Sequence, residues 1–212
     1  MRSTDPDIRT RLPDDEDVEP DRATSPRRRT REEPEAPLRR GERVGRLVAL
    51  LTRTAGGSSK MARRHGRAAR FYDIGMAAVS DELIAREDPL SPEEYQLVRL
   101  HPVFGERMLS KWDTDSAELA RSIARSHHER WDGEGYPDRR AGFDIPGAAR
   151  VTAVADALDA MIRGRPHSRP RSPEEALMEI SRQAGHQFDP EIVEALEERP
   201  WAIMRTYFEA GA

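Results

Sequence analysis

The chain has 212 residues, 35 Lys and Arg against 39 Asp and Glu, and no cysteine. Zero cysteine excludes a disulfide scaffold, a thiolate zinc site and a cysteine nucleophile, and a formal charge of −4 argues against a dedicated nucleic-acid binder. No apolar run approaches the ~20 residues that span a bilayer, the best stretch, Val44 to Leu51, being broken by Gly45 and Arg46.

Residues 1–40 hold eleven acids, ten arginines and six prolines, with Ile8, Leu12, Val18 and Leu38 as the large aliphatics. Such a segment cannot bury enough apolar area to offset its ordering entropy, so it is expected to be a disordered tail. Asp5, Asp7 and the prolines do not read as a signal peptide, and a cytoplasmic location is expected. Arg27 to Arg31 can touch a phosphate or an anionic lipid; a plainly solvated tail fits the composition better.

The domain is expected over 41–212. Val44, Leu47, Val48 and Leu51 recur at helical spacing, and Gly56-Gly57-Ser58-Ser59 breaks that helix. A second helix is expected from about Lys60 through Tyr72. Ser91-Pro92-Glu93-Glu94 and Ser172-Pro173-Glu174-Glu175 are strong helix starts, each with a capping serine, a first-turn proline and a glutamate that can close a capping box. Asp189-Pro190-Glu191 is a weaker version. Helical patterns also lie near 115–129 and 147–162, and Trp201 to Phe208 reads as a final amphipathic helix that docks on the bundle or meets a second copy. Strand-like alternation is almost absent. The expected fold is all-α, a bundle of about seven or eight helices.

The chemistry-bearing residues gather in this domain. Leu119, Ile123 and His127 are four apart, so His127 extends an apolar face, and His128 lies about 100° further round. The loop Trp131 to Pro137 follows directly. Val98, His101, Gly105 and Met108 are three or four apart, so His101 points inward, and Pro102 kinks or restarts its helix. Asp156 lies beside the apolar stripe Val151, Val154, Ala155, Leu158 and Ile162, where a carboxylate needs a partner or a metal. Asp73 sits at a helix end. Asp73, His101, His127, His128 and Asp156 form a sulfur-free set suited to Fe, Mn, Zn, Ni or Co. Taken singly, each histidine is more simply an ordinary buried or surface residue. His65, His167 and His186 carry no such role, and Trp112 and Trp201 are expected in core or rim packing.

His127-His128-Glu129-Arg130-Trp131-Asp132-Gly133-Glu134-Gly135-Tyr136-Pro137 resembles the HHExxDGxGYP signature of the HD-GYP domain family. Tyr72-Asp73-Ile74-Gly75-Met76 stands where that family has HDIGK. His101-Pro102, Ile145-Pro146 with Ala149-Arg150-Val151 to Ala160, Arg165-Pro166, Ser172 to Leu177 and Phe188-Asp189-Pro190 continue the resemblance over about 41–197. It implies an HD-superfamily helical domain that binds iron or manganese and hydrolyses cyclic di-GMP to the linear dinucleotide or GMP. Asp73 would then be the catalytic, metal-bridging carboxylate, with His101, His127, His128 and Asp156 as further ligands. Gly135, Tyr136 and Pro137 would shape the substrate loop, and Arg165 would meet a phosphate.

Three departures stand beside the match. Tyr72 replaces the histidine ligand, and a phenol with a pKa near 10 is a poor ligand for a divalent ion. Met76 replaces the lysine, which removes a cation from the phosphate's surroundings. Arg40 to Leu51 holds no histidine to serve as an upstream ligand. One or two metals per chain are therefore expected rather than three. The resulting expectation is a phosphodiesterase on cyclic di-GMP or a related nucleotide, with reduced activity. Its alternatives are an inactive cyclic-dinucleotide sensor or protein-interaction module, and a phosphohydrolase on another nucleotide. A signalling-protein partner is expected at the GYP face.

Overall fold

The computed structural model describes residues 37–84, 86, 88–112, 115–164 and 169–209. Most of the expected tail, together with Arg165 and His167, lies outside the described residues. In chain order the helices are α1 (Pro37–Thr54), α2 (Ser59–Ala69), α3 (Asp81–Ile84), α4 (Pro92–Val98), α5 (His101–Leu109), α6 (Asp115–Ser126), α7 (Gly147–Arg163), α8 (Pro173–Arg182), α9 (Pro190–Glu198) and α10 (Pro200–Glu209). Two short 3₁₀ turns, Ile74–Ala78 and Gly142–Asp144, complete the set. Among the described residues there is no strand beyond an isolated bridge between Ala184 and Phe188.

The helix starts follow local chemistry. Ser91 and Ser172 each accept a bond from the amide of Glu94 or Glu175, whose side chain bonds back to the serine amide. The glutamates also place negative charge at the positive end of the helix dipole. Ser58 caps α2 through the Met61 amide, and Asp189 caps α9 through the Glu191 amide.

The fold exceeds the expected helix number in two places. Residues 81–84 form one extra helical turn, and the stretch around His101 divides into α4 and α5. The division follows from Pro102, which has no amide hydrogen and is tolerated only in a first turn. Helix α2 stops at Ala69 rather than at Tyr72, and the turn that follows re-aims Tyr72 inward.

Helix α1 begins at Pro37, before the boundary expected at 41. Proline suits a first helical turn, and Arg40 and Arg43 in this added turn and the next are held by carboxylates of α7. Helix α7 is buried along most of its length. Its Val151, Val154, Ala155, Leu158 and Ile162 join one core with Val44, Leu47, Val48 and Leu51 of α1, Ile180 of α8, Leu196 of α9 and Ile203 of α10. Each fully buried side chain of this size contributes about 1.5–3 kcal/mol. Helix α10 docks through Ile203, Met204 and Tyr207, while Trp201 is exposed rather than in the core. Trp112 is a rim residue, edge-on to Phe71 at 5.1 Å between centroids. His65 bonds Thr52 across α1 and α2, and His186 is exposed. No described helix is long and apolar enough to cross a membrane.

Candidate metal centre

Four of the five expected ligands come together. One ligand atom each from Asp73, His101, His127 and His128 lies within 4.8 Å of the others. Three local features aim them. The turn after α2 delivers Asp73 at the start of a 3₁₀ turn. Gly75 lets that turn press on α5, where an added Cβ would lie 1.9 Å from the His101 carbonyl oxygen. His127 continues α6 by one bond to Ile123 at 3.0 Å, and His128 begins the loop.

The backbone sets the imidazole tautomers. His101 Nδ1 lies 2.8 Å from the Val98 carbonyl, and His127 Nδ1 lies 2.9 Å from that of Ala124. A carbonyl only accepts, so each Nδ1 carries the proton and each neutral ring presents a bare Nε2 lone pair. Those two Nε2 atoms are 3.3 Å apart, and Asp73 Oδ1 is 3.2 Å from the first and 3.6 Å from the second. An anionic oxygen and two nitrogen lone pairs at these distances call for a cation. Two ligands about 2.1 Å from one ion stand about 3.0–3.4 Å apart, which the Nε2 separation fits.

Asp156, the fifth expected ligand, stands outside this group and is engaged otherwise. Tyr72 donates its hydroxyl to Asp156 Oδ1 at 2.6 Å, and Arg40 Nη2 donates to the same oxygen at 2.6 Å. Burial, then the charges of Asp156 and Asp73, push the Tyr72 phenol well above its ordinary pKa, against the opposing pull of Arg40. Tyr72 is thus a neutral hydrogen-bond donor to Asp156. Arg40 also turns Nη1 toward Asp73 Oδ2 at 3.8 Å and Nε toward Asp159 Oδ2 at 3.6 Å. Burial works against its charge, but the surrounding carboxylates outweigh that and raise its pKa. Beside it, Arg43 grips Asp159 with two bonds of 2.8 and 3.1 Å, and Tyr207 donates to Asp159 at 2.7 Å. Sequence reasoning placed Arg40 in the tail and missed Arg43 and Asp159. A signal was present: two arginines three apart face two aspartates three apart, each bonded pair separated by 116 residues.

The 129–140 loop is built to hold His128. Glu129, 3% exposed, accepts the amides of Asp138 at 2.7 Å and Arg140 at 3.1 Å. The Tyr136 ring stacks on His128 with centroids 4.7 Å apart, and the Arg99 guanidinium lies 4.4 Å from the Tyr136 centroid. Gly135 is buried, and a Cβ there would meet the Arg130 nitrogen at 2.4 Å and the His128 oxygen at 2.6 Å. Its role is close backbone packing. Gly135→Ala is therefore expected to destabilise the domain by about 1–3 kcal/mol, since backbone must move. A thermal melt checks this, and an unchanged midpoint would show that the loop relaxes freely. Pro137 follows, half-buried, and Met76 is half-buried where the resembled family has lysine.

A family model described as HD domain matches residues 28–192. A cyclic di-GMP phosphodiesterase of Thermotoga maritima is 38% identical over 157 residues, 74% of this chain and 43% of that protein. A 3'3'-cGAMP-specific phosphodiesterase of Vibrio cholerae is 35% identical over 131 residues, 62% of this chain and 25% of that protein. The chain thus spans less than half the length of these curated relatives. An HDG"Y"P protein from Bdellovibrio bacteriovorus has the same fold, with a TM-score of 0.61 at 20% identity, covering 77% of this chain and 52% of that one. With the all-helical core and this match in hand, the chain belongs to the HD domain family, and its 127–137 motif resembles the HD-GYP signature.

Proposed function

We propose that the chain is a metal-dependent phosphodiesterase that hydrolyses a cyclic dinucleotide, cyclic di-GMP first among them. The observation that carries this reading is the convergence of two backbone-fixed Nε2 lone pairs on the Asp73 carboxylate, with His128 beside them. Asp73, His101, His127 and His128 would hold a divalent ion, which would supply Lewis-acid activation of water and neutralise charge on phosphoryl oxygens. Donors of nitrogen and oxygen without sulfur suit iron or manganese. The backbone carbonyls of Val98 and Ala124 keep the imidazoles in the ligating tautomer. Tyr136 and Glu129 keep His128 in place. Water attack at phosphorus breaks one phosphodiester bond and yields the linear dinucleotide.

A cysteine-free chain acting on a cyclic dinucleotide fits the cytoplasm. A signalling partner at the loop face is supported by Phe143, 71% exposed next to it. The relatives' names support both cyclic di-GMP and 3'3'-cGAMP as substrates. The test is turnover by the full chain, loaded with iron or manganese without oxygen, on each dinucleotide separately. Linear dinucleotide or GMP is the expected product. Protein with a full metal complement and no turnover of either would overturn this reading and favour the second, a non-catalytic dinucleotide sensor or interaction module. That reading draws on the closed contact of Tyr72 and Arg40 with Asp156.

A further inference from the structure

We propose that the Arg40 guanidinium is this chain's own cation in the place of a second metal, so that the centre holds one ion per chain. The inference rests on the metal-centre reading above and adds its stoichiometry. Three carboxylates, Asp73 and the α7 residues Asp156 and Asp159, lie around the Arg40 guanidinium, and the last two are 6% and 1% exposed. Buried carboxylates need compensating charge. Arg40 turns a different nitrogen to each, Nη2 to Asp156 at 2.6 Å, Nη1 to Asp73 at 3.8 Å and Nε to Asp159 at 3.6 Å, and Arg43 is the closer partner of Asp159. A planar fork with fixed donors matches this arrangement as a point charge would not.

The donor set explains why a metal does not occupy the same place. Asp156 Oδ1 already accepts two short hydrogen bonds, from Arg40 and Tyr72. A divalent ion there would face a guanidinium at contact distance and find a protonated phenol where a ligand nitrogen would stand. Asp73 is shared differently by its two oxygens. Oδ1 faces the imidazoles, while Oδ2 faces Arg40. The two sides of this carboxylate thus address one exchangeable cation and one built-in cation.

The test counts manganese per chain in the full-length protein by elemental analysis after equilibration and desalting. One ion per chain is expected for wild type. Two would overturn the role of Arg40 while leaving the metal centre standing. None would overturn the metal centre, and this inference with it. Two double variants then isolate charge at position 40, with helical content by circular dichroism as the folding control. Arg40→Gln with Tyr72→His is expected to bind two ions, and Arg40→Lys with Tyr72→His to stay at one. Equal counts in the two variants would show that charge at position 40 does not govern occupancy. The wild-type count stands even if a double variant fails to fold.

Discussion

In Asp73→Ala, metal content is expected to fall from one ion per chain to background, and turnover of cyclic di-GMP by about a thousandfold or more. Asp73 links the imidazoles to the guanidinium, with His101 at 3.2 Å, His127 at 3.6 Å and Arg40 at 3.8 Å. Without it the imidazoles keep their backbone-fixed tautomer but present no anion to balance a divalent charge. The fold should survive, because the side chain is 24% exposed and contributes nothing to the apolar core. A melting midpoint within a few degrees of wild type would therefore accompany the loss of metal. Asp156→Ala is the informative contrast. Its oxygen is taken by Tyr72 and Arg40, so the variant should keep its single ion while losing stability. If metal fell equally in both variants, Asp156 would be a ligand after all, and the division between one exchangeable and one built-in cation would be wrong.

Much of this centre was legible in the sequence because its parts are local. The His127-His128 pair, the Gly and Pro of the loop and the capping boxes each depend on neighbours within a few positions. Helical spacing sufficed to turn His101 and His127 inward, and both are buried. What escaped notice was long-range. Arg40 reads as one more arginine of a polar tail, since Pro37, which starts α1, is one of six prolines in that segment and does not stand out as a helix start. Asp159 falls in a helix whose apolar stripe attracts the attention, and its partners lie 116 and 48 residues away. Asp156 was correctly marked as a buried carboxylate in need of a partner, but composition offers no means of choosing between a metal and a guanidinium. Gly135 looked like part of a substrate loop, and only the backbone atoms against it reveal a packing role.

Asp159→Ala is expected to be the most destabilising single change in the charged network, by about 3–5 kcal/mol. Asp159 is 1% exposed and is the meeting point of three helices: Arg43 of α1 bonds both its oxygens, and Tyr207 of α10 donates to one of them. Removing it leaves the Arg43 charge, 5% exposed, without its main anion, and desolvated charge of this kind is what makes breaking a buried pair costly. For a domain of this size the loss corresponds to a fall of roughly 10 °C or more in melting midpoint. Replacing both partners, as Arg43→Met with Asp159→Leu, should recover most of that stability, because an apolar pair of similar volume avoids the desolvation cost. The double variant should nonetheless differ from wild type at the centre. The Arg43–Asp159 pair and the Tyr207 contact fix the first turns of α1 against α7, and Arg40 lies one turn before Arg43. Hydrogen exchange of the α1 amides should therefore quicken in the stable double variant, beginning in its first turns. Unchanged protection there would mean that the apolar stripe Val44, Leu47, Val48 and Leu51 alone positions Arg40, and that the ion pairs add only stability.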